Sequence, residues 1–388
     1  MISFGIDELI HQNPAWKTKA LGLVTSNAAT TNTGILSRTA LVQAGFNIVL
    51  LFSPEHGITA TAPDGEAQQN SMDTITGLPI ISLYGNKSMP TAQDLENIDI
   101  VLFDIPDIGA RFYTYLWTLT YVLEACALNK KELIVLDRPN PVSGNFNAAE
   151  GPLLENTTSS FIGRWNIPIK HSATLGELAH YFNSTKNIGA NLTVVPVKNW
   201  DRDSFVTNWQ TNFVPTSPAI HSPNCMYLYP GLCLLEATNI SEGRGSQYSF
   251  ETAGAPWLQT NEIVSFINQS FGDEIKASAI TFTPTSGKYA NTICKGIHFE
   301  VIDPAYCKPV FFGLLLLYII RAKHPQEFLW APYKTAVNPS GKNHLDKLLG
   351  VHHAEQIFDL PLPQFVATCT KITHTPNWQE QMSSYLLY

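Results

Sequence analysis

The chain has 388 residues, 44% of them hydrophobic and only 14% charged, against about 25% charged in an average soluble protein. That length suits two domains, and the apolar content excludes a disordered chain, which is charge-rich and poor in apolar residues. Lys and Arg total 24 and Asp and Glu 32, for a net charge of −8, which argues against a nucleic-acid or anionic-membrane surface and requires any anionic ligand to be met by individually placed basic side chains.

In chain order, the N-terminus (Met1-Ile2-Ser3-Phe4-Gly5-Ile6-Asp7) lacks a basic region followed by an apolar one, so no secretory signal is read there. The expected compartment is the cytoplasm as the sequence stands, or the periplasm or exterior if a leader was removed. Apolar runs at 20–25, 47–52, 78–83, 99–103 and 132–136 are Val/Ile/Leu-rich without interruption, the pattern of strands buried on both faces of a parallel sheet. Segments 34–45, 91–97 and 113–129 have helical length or spacing, with Gly45 placed to end the first of them. Strands alternating with helices predict a Rossmann-like, doubly wound α/β domain. A further helix at 174–183 opens with the capping box of Thr174 and Glu177, and a strand follows at 192–197.

Residues 214–223, with Pro215, Pro218 and Pro223, read as a connection, which divides the chain into domains at 1–218 and 219–388. The second half offers a helix at 261–271, a strand at 296–301 and an apolar helix at 310–322, the content of a smaller α+β domain that completes a cleft with the first. The richest apolar stretch, 309–320, falls short of the 18 or more residues a membrane span needs, so no membrane insertion is expected. The six cysteines show neither CxxC pairing nor a His spacing suited to zinc, and are expected to be reduced core thiols.

Ligands of open parallel sheets bind beyond the carboxyl ends of the strands, and those ends are where polar groups gather. They carry Thr25-Ser26-Asn27, Ser53-Pro54-Glu55-His56-Gly57, Asp104-Ile105-Pro106-Asp107 with Gly109-Ala110-Arg111-Phe112-Tyr113-Thr114-Tyr115, and Asp137-Arg138-Pro139-Asn140-Pro141. Glu55, in a turn set by Pro54 and Gly57, is placed to act as a general acid, with His56 beside it. Asp104, at a strand end, is placed to act as a base or to bind hydroxyls, while Asp107 suits the cap of the helix beginning near Tyr113. Arg111 and Arg138 are candidates for a carboxylate clamp, and Tyr113 and Tyr115 for stacking against a sugar. Later in the chain, Glu236, Asn239, Glu242 and Arg244 fall within nine residues and end at two glycines, a loop that permits close backbone approach to a ligand. No GxGxxG follows the first strand, and GxxxxGK[ST], GxSxG and HExxH are absent, so dinucleotide oxidoreductases, P-loop NTPases, ordinary α/β-hydrolases and zincins lose support.

These blocks, with Glu150-Gly151-Pro152 and Thr238-Asn239-Ile240-Ser241-Glu242-Gly243-Arg244-Gly245, resemble in the same order the NamZ exo-β-N-acetylmuramidases, from about Gly5 to the C-terminus. The resemblance implies a glycoside hydrolase that removes non-reducing-end N-acetylmuramic acid from peptidoglycan fragments. It implies Glu55 as the principal catalytic carboxyl, with His56, Asp104, Arg111, Tyr113, Asp137, Arg138, Asn239, Glu242 and Arg244 around the substrate. Ser26, Asn27 and Tyr115 complete the expected binding set by their position at the sheet edge. Arg244, with Arg111 or Arg138, is expected to read the lactyl carboxylate. The second catalytic group is left open between Asp104, Glu242 and the substrate's own 2-acetamido group. The expected partner is a peptidoglycan-derived saccharide, with no nucleic acid and neither cofactor nor metal. Two further readings are a metal-dependent hydrolase using Glu55, His56, Asp104 and Asp107, and a non-catalytic protein that binds cell-wall fragments.

Overall fold

The apolar runs of the N-terminal half form the parallel strands of one sheet. In the computed structural model, which describes residues 1–388, these strands are β1 (Leu21–Thr25), β2 (Ile48–Ser53), β3 (Ser71–Met72), β4 (Pro79–Ser82), β5 (Ile100–Asp104), β6 (Glu132–Leu136) and β7 (Asn191–Val195). Their spatial order is β3-β4-β2-β1-β5-β6-β7, and every pairing is parallel except that of the short edge strand β3. The strand order reverses between β1 and β5, as expected of a doubly wound sheet.

Alternate side chains of the central strands feed two cores, because successive Cβ atoms point to opposite faces. Leu21, Leu23, Leu102 and Ile134 pack with Ile6 and Leu9 of α1 (Gly5–Gln12) and Leu41 of α2 (Ser37–Gln43). After the short α3 (Ala92–Leu95), the opposite face is covered by α4 (Tyr115–Leu128) and α5 (Leu175–Thr185), which bury Leu116, Leu119 and Leu178 against Val24, Val101, Phe103 and Val135. The capping box expected at Thr174 and Glu177 is present and starts α5.

The second half begins with α6 (Pro223–Leu232), then β8 (Thr252–Ala255), α7 (Asn261–Phe271), β9 (Ile275–Phe282), β10 (Cys294–Val301), α8 (Pro309–Lys323), α9 (His344–Leu349), α10 (Leu362–Thr373) and α11 (Trp378–Met382). Strands β8, β10 and β9 form an antiparallel sheet in that order. Part of the segment read as a connection is therefore the start of a helix: Pro223 occupies its first turn, where its missing N–H costs nothing, and Ser222 caps it by accepting from the Cys225 N–H. The apolar run 309–320 lies in α8, and no helix is long and apolar enough to cross a membrane. Helices α6 and α8 cross at Gly231 and Gly313; a Cβ on Gly313 would lie 2.4 Å from the Gly231 carbonyl oxygen, so only glycine allows this approach.

The two halves are joined by buried polar groups. The carboxylate of Glu150 accepts from the backbone N–H of Val310 and of Phe311, each at 3.1 Å, and so caps α8 from the other half of the chain. All six cysteines are buried as free thiols.

Candidate active site

A cavity of about 260 Å³ opens beyond the carboxyl ends of β2, β4 and β5. Its lining comes from both halves of the chain and includes Glu55, His56, Tyr84, Tyr113 and Thr114 from the first, and Glu236, Arg244, Tyr333, His344 and Lys347 from the second.

Glu55 reaches it because the chain turns sharply after β2, with φ of +67° at His56 and +71° at Gly57. Histidine tolerates this left-handed region better than most side chains, and glycine adopts it freely. The Glu55 side chain is buried, and its Oε1 accepts from the Gly65 N–H at 2.9 Å. Its Oε2 accepts from the Thr114 hydroxyl at 2.6 Å. Thr114 stands at the N-cap of α4 but makes no cap bond with its side chain, which faces Glu55 instead. Burial, together with the Glu55 carboxylate beside it, holds the Tyr84 phenol far above its usual range. The Tyr115 hydroxyl donates to the Thr216 carbonyl at 2.8 Å and lies 3.4 Å from the Glu55 carbonyl, while Tyr113 donates to the Thr216 hydroxyl at 2.8 Å. Tyr113 thus lines the cavity and Tyr115 braces the turn from behind.

His56 Nδ1 lies 2.7 Å from the Ala62 carbonyl. A carbonyl can only accept, so Nδ1 carries the proton and the neutral ring presents a bare Nε2.

Arg244 is surrounded by carboxylates. Its guanidinium contacts Glu236, Asp64 at 3.4 Å and Glu242 at 3.3 Å, and stacks 4.6 Å over the Phe250 ring. Lys288 holds the other oxygen of Glu242 at 3.0 Å, and Tyr333 donates to Asp64. Both oxygens of Glu236 are engaged, one by Arg244 and the other by His344 Nε2 at 3.1 Å. Burial alone would raise the Glu236 pKa, but the adjacent Arg244 charge and the bond to His344 bring it down to about 2. Of the three carboxylates that line the cavity, Glu55, Asp64 and Glu236, only Glu55 has no cationic partner.

Several residues expected around the substrate lie elsewhere, each for a visible reason. Asp104 and Arg138 form a buried bidentate pair, Oδ1 to Nε at 2.6 Å and Oδ2 to Nη2 at 3.1 Å, while Nη2 also donates to the Thr30 carbonyl. Arg111 is fully buried, and its guanidinium donates to the carbonyls of Pro152, Ile167 and Leu348 at 2.7–2.9 Å, without any carboxylate. Burial pulls its pKa down to about 9. Asp137 accepts from the Thr174 hydroxyl, the Gly176 N–H and the Tyr388 hydroxyl, which tie α5 and the C-terminus to β6; burial pushes it up to about 6. Asn239 pins the 327–329 segment through the Glu327 carbonyl and the Leu329 N–H. Ser26 and Asn27 occupy the turn after β1, where the Ser26 hydroxyl accepts from the Ala28 N–H and the Asn27 N–H donates to the Ile58 carbonyl. Asp107 does not cap α4; its Oδ2 accepts from the Gly109 N–H and faces His171 Nε2 at 3.1 Å. The set Glu55, His56, Asp104 and Asp107 is consequently not brought together, and no group of three or more His, Cys, Asp or Glu side chains converges as a metal site.

The cavity also contains residues that no sequence motif singled out, namely Asp64, Tyr84, Thr114, Tyr333, His344 and Lys347. Asp64 and Tyr333 lie in irregular segments and meet across 269 positions of sequence, so no local spacing signals them.

The fold and this cavity match one family throughout. Residues 21–224 match the N-terminal region of the exo-β-N-acetylmuramidase NamZ, and residues 227–388 match its C-terminal region. The chain therefore belongs to the NamZ family of exo-β-N-acetylmuramidases, enzymes that hydrolyse glycosidic bonds. Over 330 residues it is 39% identical to the peptidoglycan β-N-acetylmuramidase NamZ of Bacillus subtilis (strain 168), covering 84% of this chain and 79% of that one. Two crystal structures of DUF1343 family proteins from Bacteroides fragilis NCTC 9343 share its fold. One has a TM-score of 0.87 at 27% identity and the other 0.73 at 25%, each over 100% of this chain and 99% of its own.

Proposed function

We propose that the protein releases N-acetylmuramic acid from the non-reducing end of peptidoglycan fragments such as MurNAc-GlcNAc, with Glu55 as the acid that protonates the leaving glycosidic oxygen. The observation that carries this reading is the isolation of Glu55 from any cation in a cavity where Asp64 and Glu236 are both neutralised by Arg244. Its carboxyl can exchange a proton with a ligand without breaking an ion pair. Oε1 faces an N–H, which only donates, so the proton of the neutral acid resides on Oε2. There the Thr114 hydroxyl, which both donates and accepts, accommodates either state. A cavity of about 260 Å³ suits one substituted sugar unit better than a run of them, in keeping with an exo-acting enzyme.

A two-carboxylate mechanism needs a second carboxylate free to act as base or nucleophile. Asp104 is outside the cavity, Glu242 is held by Arg244 and Lys288, and Glu236 is bonded through both oxygens. The reading therefore assigns assistance at the anomeric carbon to the substrate's own 2-acetamido carbonyl, a recognised exception to the two-carboxylate scheme. The test is incubation with MurNAc-GlcNAc and detection of free N-acetylmuramic acid. Loss of a general acid costs about 10²–10⁴-fold, so Glu55→Gln is expected to lower turnover by that factor while binding persists. Equal turnover by the variant would remove Glu55 from the chemistry, and binding without release by the wild type would favour a fragment-binding protein.

A further inference from the structure

The proposed ligand carries one feature that N-acetylglucosamine lacks, a carboxylate on the 3-O-lactyl ether. The cavity already contains three carboxylates, Glu55, Asp64 and Glu236, so another is repelled unless an uncompensated cation receives it. Arg244 is not that cation, because Asp64, Glu236 and Glu242 all lie within 3.4 Å of its guanidinium. Arg111 and Arg138 do not line the cavity.

The remaining basic side chain that lines it, apart from histidines, is Lys347 on α9, one turn from His344. Its ammonium donates to the Asn338 Oδ1 at 2.9 Å and forms no salt bridge. That neutral acceptor orients the ammonium without cancelling its charge. Partial burial moves the Lys347 pKa downward and no neighbouring anion opposes the shift, which is the environment of a cation that gains most from an incoming anion.

We propose that Lys347 is the specificity residue of this cavity, pairing with the lactyl carboxylate and so distinguishing muramyl from glucosaminyl ends. Arg244 has a different task, gathering Asp64, Glu236 and Glu242 into one neutralised cluster on the opposite half of the charge pattern from Glu55. The inference rests on the reading that terminal N-acetylmuramic acid occupies the cavity. It adds to that reading the group that recognises the lactyl arm.

The experiment compares two chromogenic β-glycosides, one of N-acetylmuramic acid and one of its lactyl amide, on the wild type and on Lys347→Met. Charge-assisted hydrogen bonds contribute about 10- to 100-fold in binding. The wild type is expected to prefer the acid over the amide by that factor, chiefly in KM, and Lys347→Met to show a ratio near one. Lys347→Arg, which keeps the charge, is expected to restore most of the preference. If Lys347→Met discriminates acid from amide as the wild type does, or if its loss falls in kcat equally on both substrates, the assignment of Lys347 is wrong. If the wild type releases nothing from either glycoside, the underlying reading of the substrate fails instead.

Discussion

Asp104 separates a catalytic from a structural role for the charged groups at the sheet edge. Replacing it by Asn conserves shape but removes the negative charge that both Arg138 Nε and Nη2 contact, at 2.6 and 3.1 Å. The two side chains are 0% and 7% exposed, so solvent cannot replace the lost partner. Stranding one member of a buried ion pair costs about 3–5 kcal/mol. Here Arg138 retains the Thr30 carbonyl and the Ser37 hydroxyl, which places Asp104→Asn at the lower end, about 3 kcal/mol. For a unit the size of the N-terminal family region, residues 21–224, each kcal/mol lowers Tm by about 2–4 °C, and the expected fall is about 6–12 °C. Thermal unfolding measures it directly, and turnover assayed well below Tm and normalised to folded protein measures the chemistry. Folded Asp104→Asn should stay within about 10-fold of wild-type kcat, whereas loss of a catalytic carboxyl costs about 10²–10⁴. Exchanging Arg138 for Met in the same chain removes the stranded cation and should recover part of the lost stability. An unchanged Tm combined with a kcat reduced 10³-fold would refute the argument and return Asp104 to the reaction.

Two further outcomes follow from the same geometry. The Glu236 pKa is depressed from 4.5 to about 2 in the folded protein; at about 1.36 kcal/mol per unit this amounts to some 3 kcal/mol. A depressed carboxyl stabilises the fold above its unfolded pKa and loses that contribution as pH falls through the folded value. Urea titrations should thus show wild-type stability dropping between pH 4.5 and 2 more steeply than that of Glu236→Gln, and parallel profiles would contradict the assigned pairing. Participation by the acetamido group requires net retention at the anomeric carbon and competitive inhibition by a muramic-acid thiazoline; proton NMR showing an inverted first product would exclude it.

The strands between Leu21 and Leu136 were legible because burial on both faces leaves uninterrupted apolar runs, and the reading at 132–136 coincides with β6. Strand β9 escaped for the complementary reason. It pairs only with β10 at the margin of its sheet, and its exposed positions Lys276 and Ser278 interrupt the apolar signal. Helix α6 was obscured by Pro218, Pro223 and Pro230, although Pro223 in fact begins the helix and Pro230 lies inside it. At the site, position along the chain indicated which residues reach the sheet edge but not which way they turn. Glu55 follows β2 into the cavity, whereas Asp104 follows β5 and turns to Arg138, 34 residues away. Lys347 had no motif, because a single lysine on a six-residue helix becomes distinctive only when the pairing of every other cation around the cavity is known.

That pairing also explains why the ligand cavity is displaced from the usual place in this fold. The reversal of strand order between β1 and β5 creates the crevice where doubly wound proteins commonly bind ligands. Here Arg138 lies across it, tied to Asp104 at the end of β5 and to Thr30 beyond β1, with Phe4 5.0 Å beneath the guanidinium. What remains is a slot of about 70 Å³, walled by Phe4, Pro106, Pro139 and Trp209, against about 260 Å³ for the cavity at Glu55. The second half of the chain is seated beside that larger space by groups that bind no substrate: Glu150 caps α8, and Arg111 donates to the Leu348 carbonyl on α9. The latter bond lies one residue from Lys347. A buried arginine that sequence reasoning assigned to the substrate therefore positions the helix that carries the unpaired lysine, and its charge acts on the site through the backbone and not through the ligand.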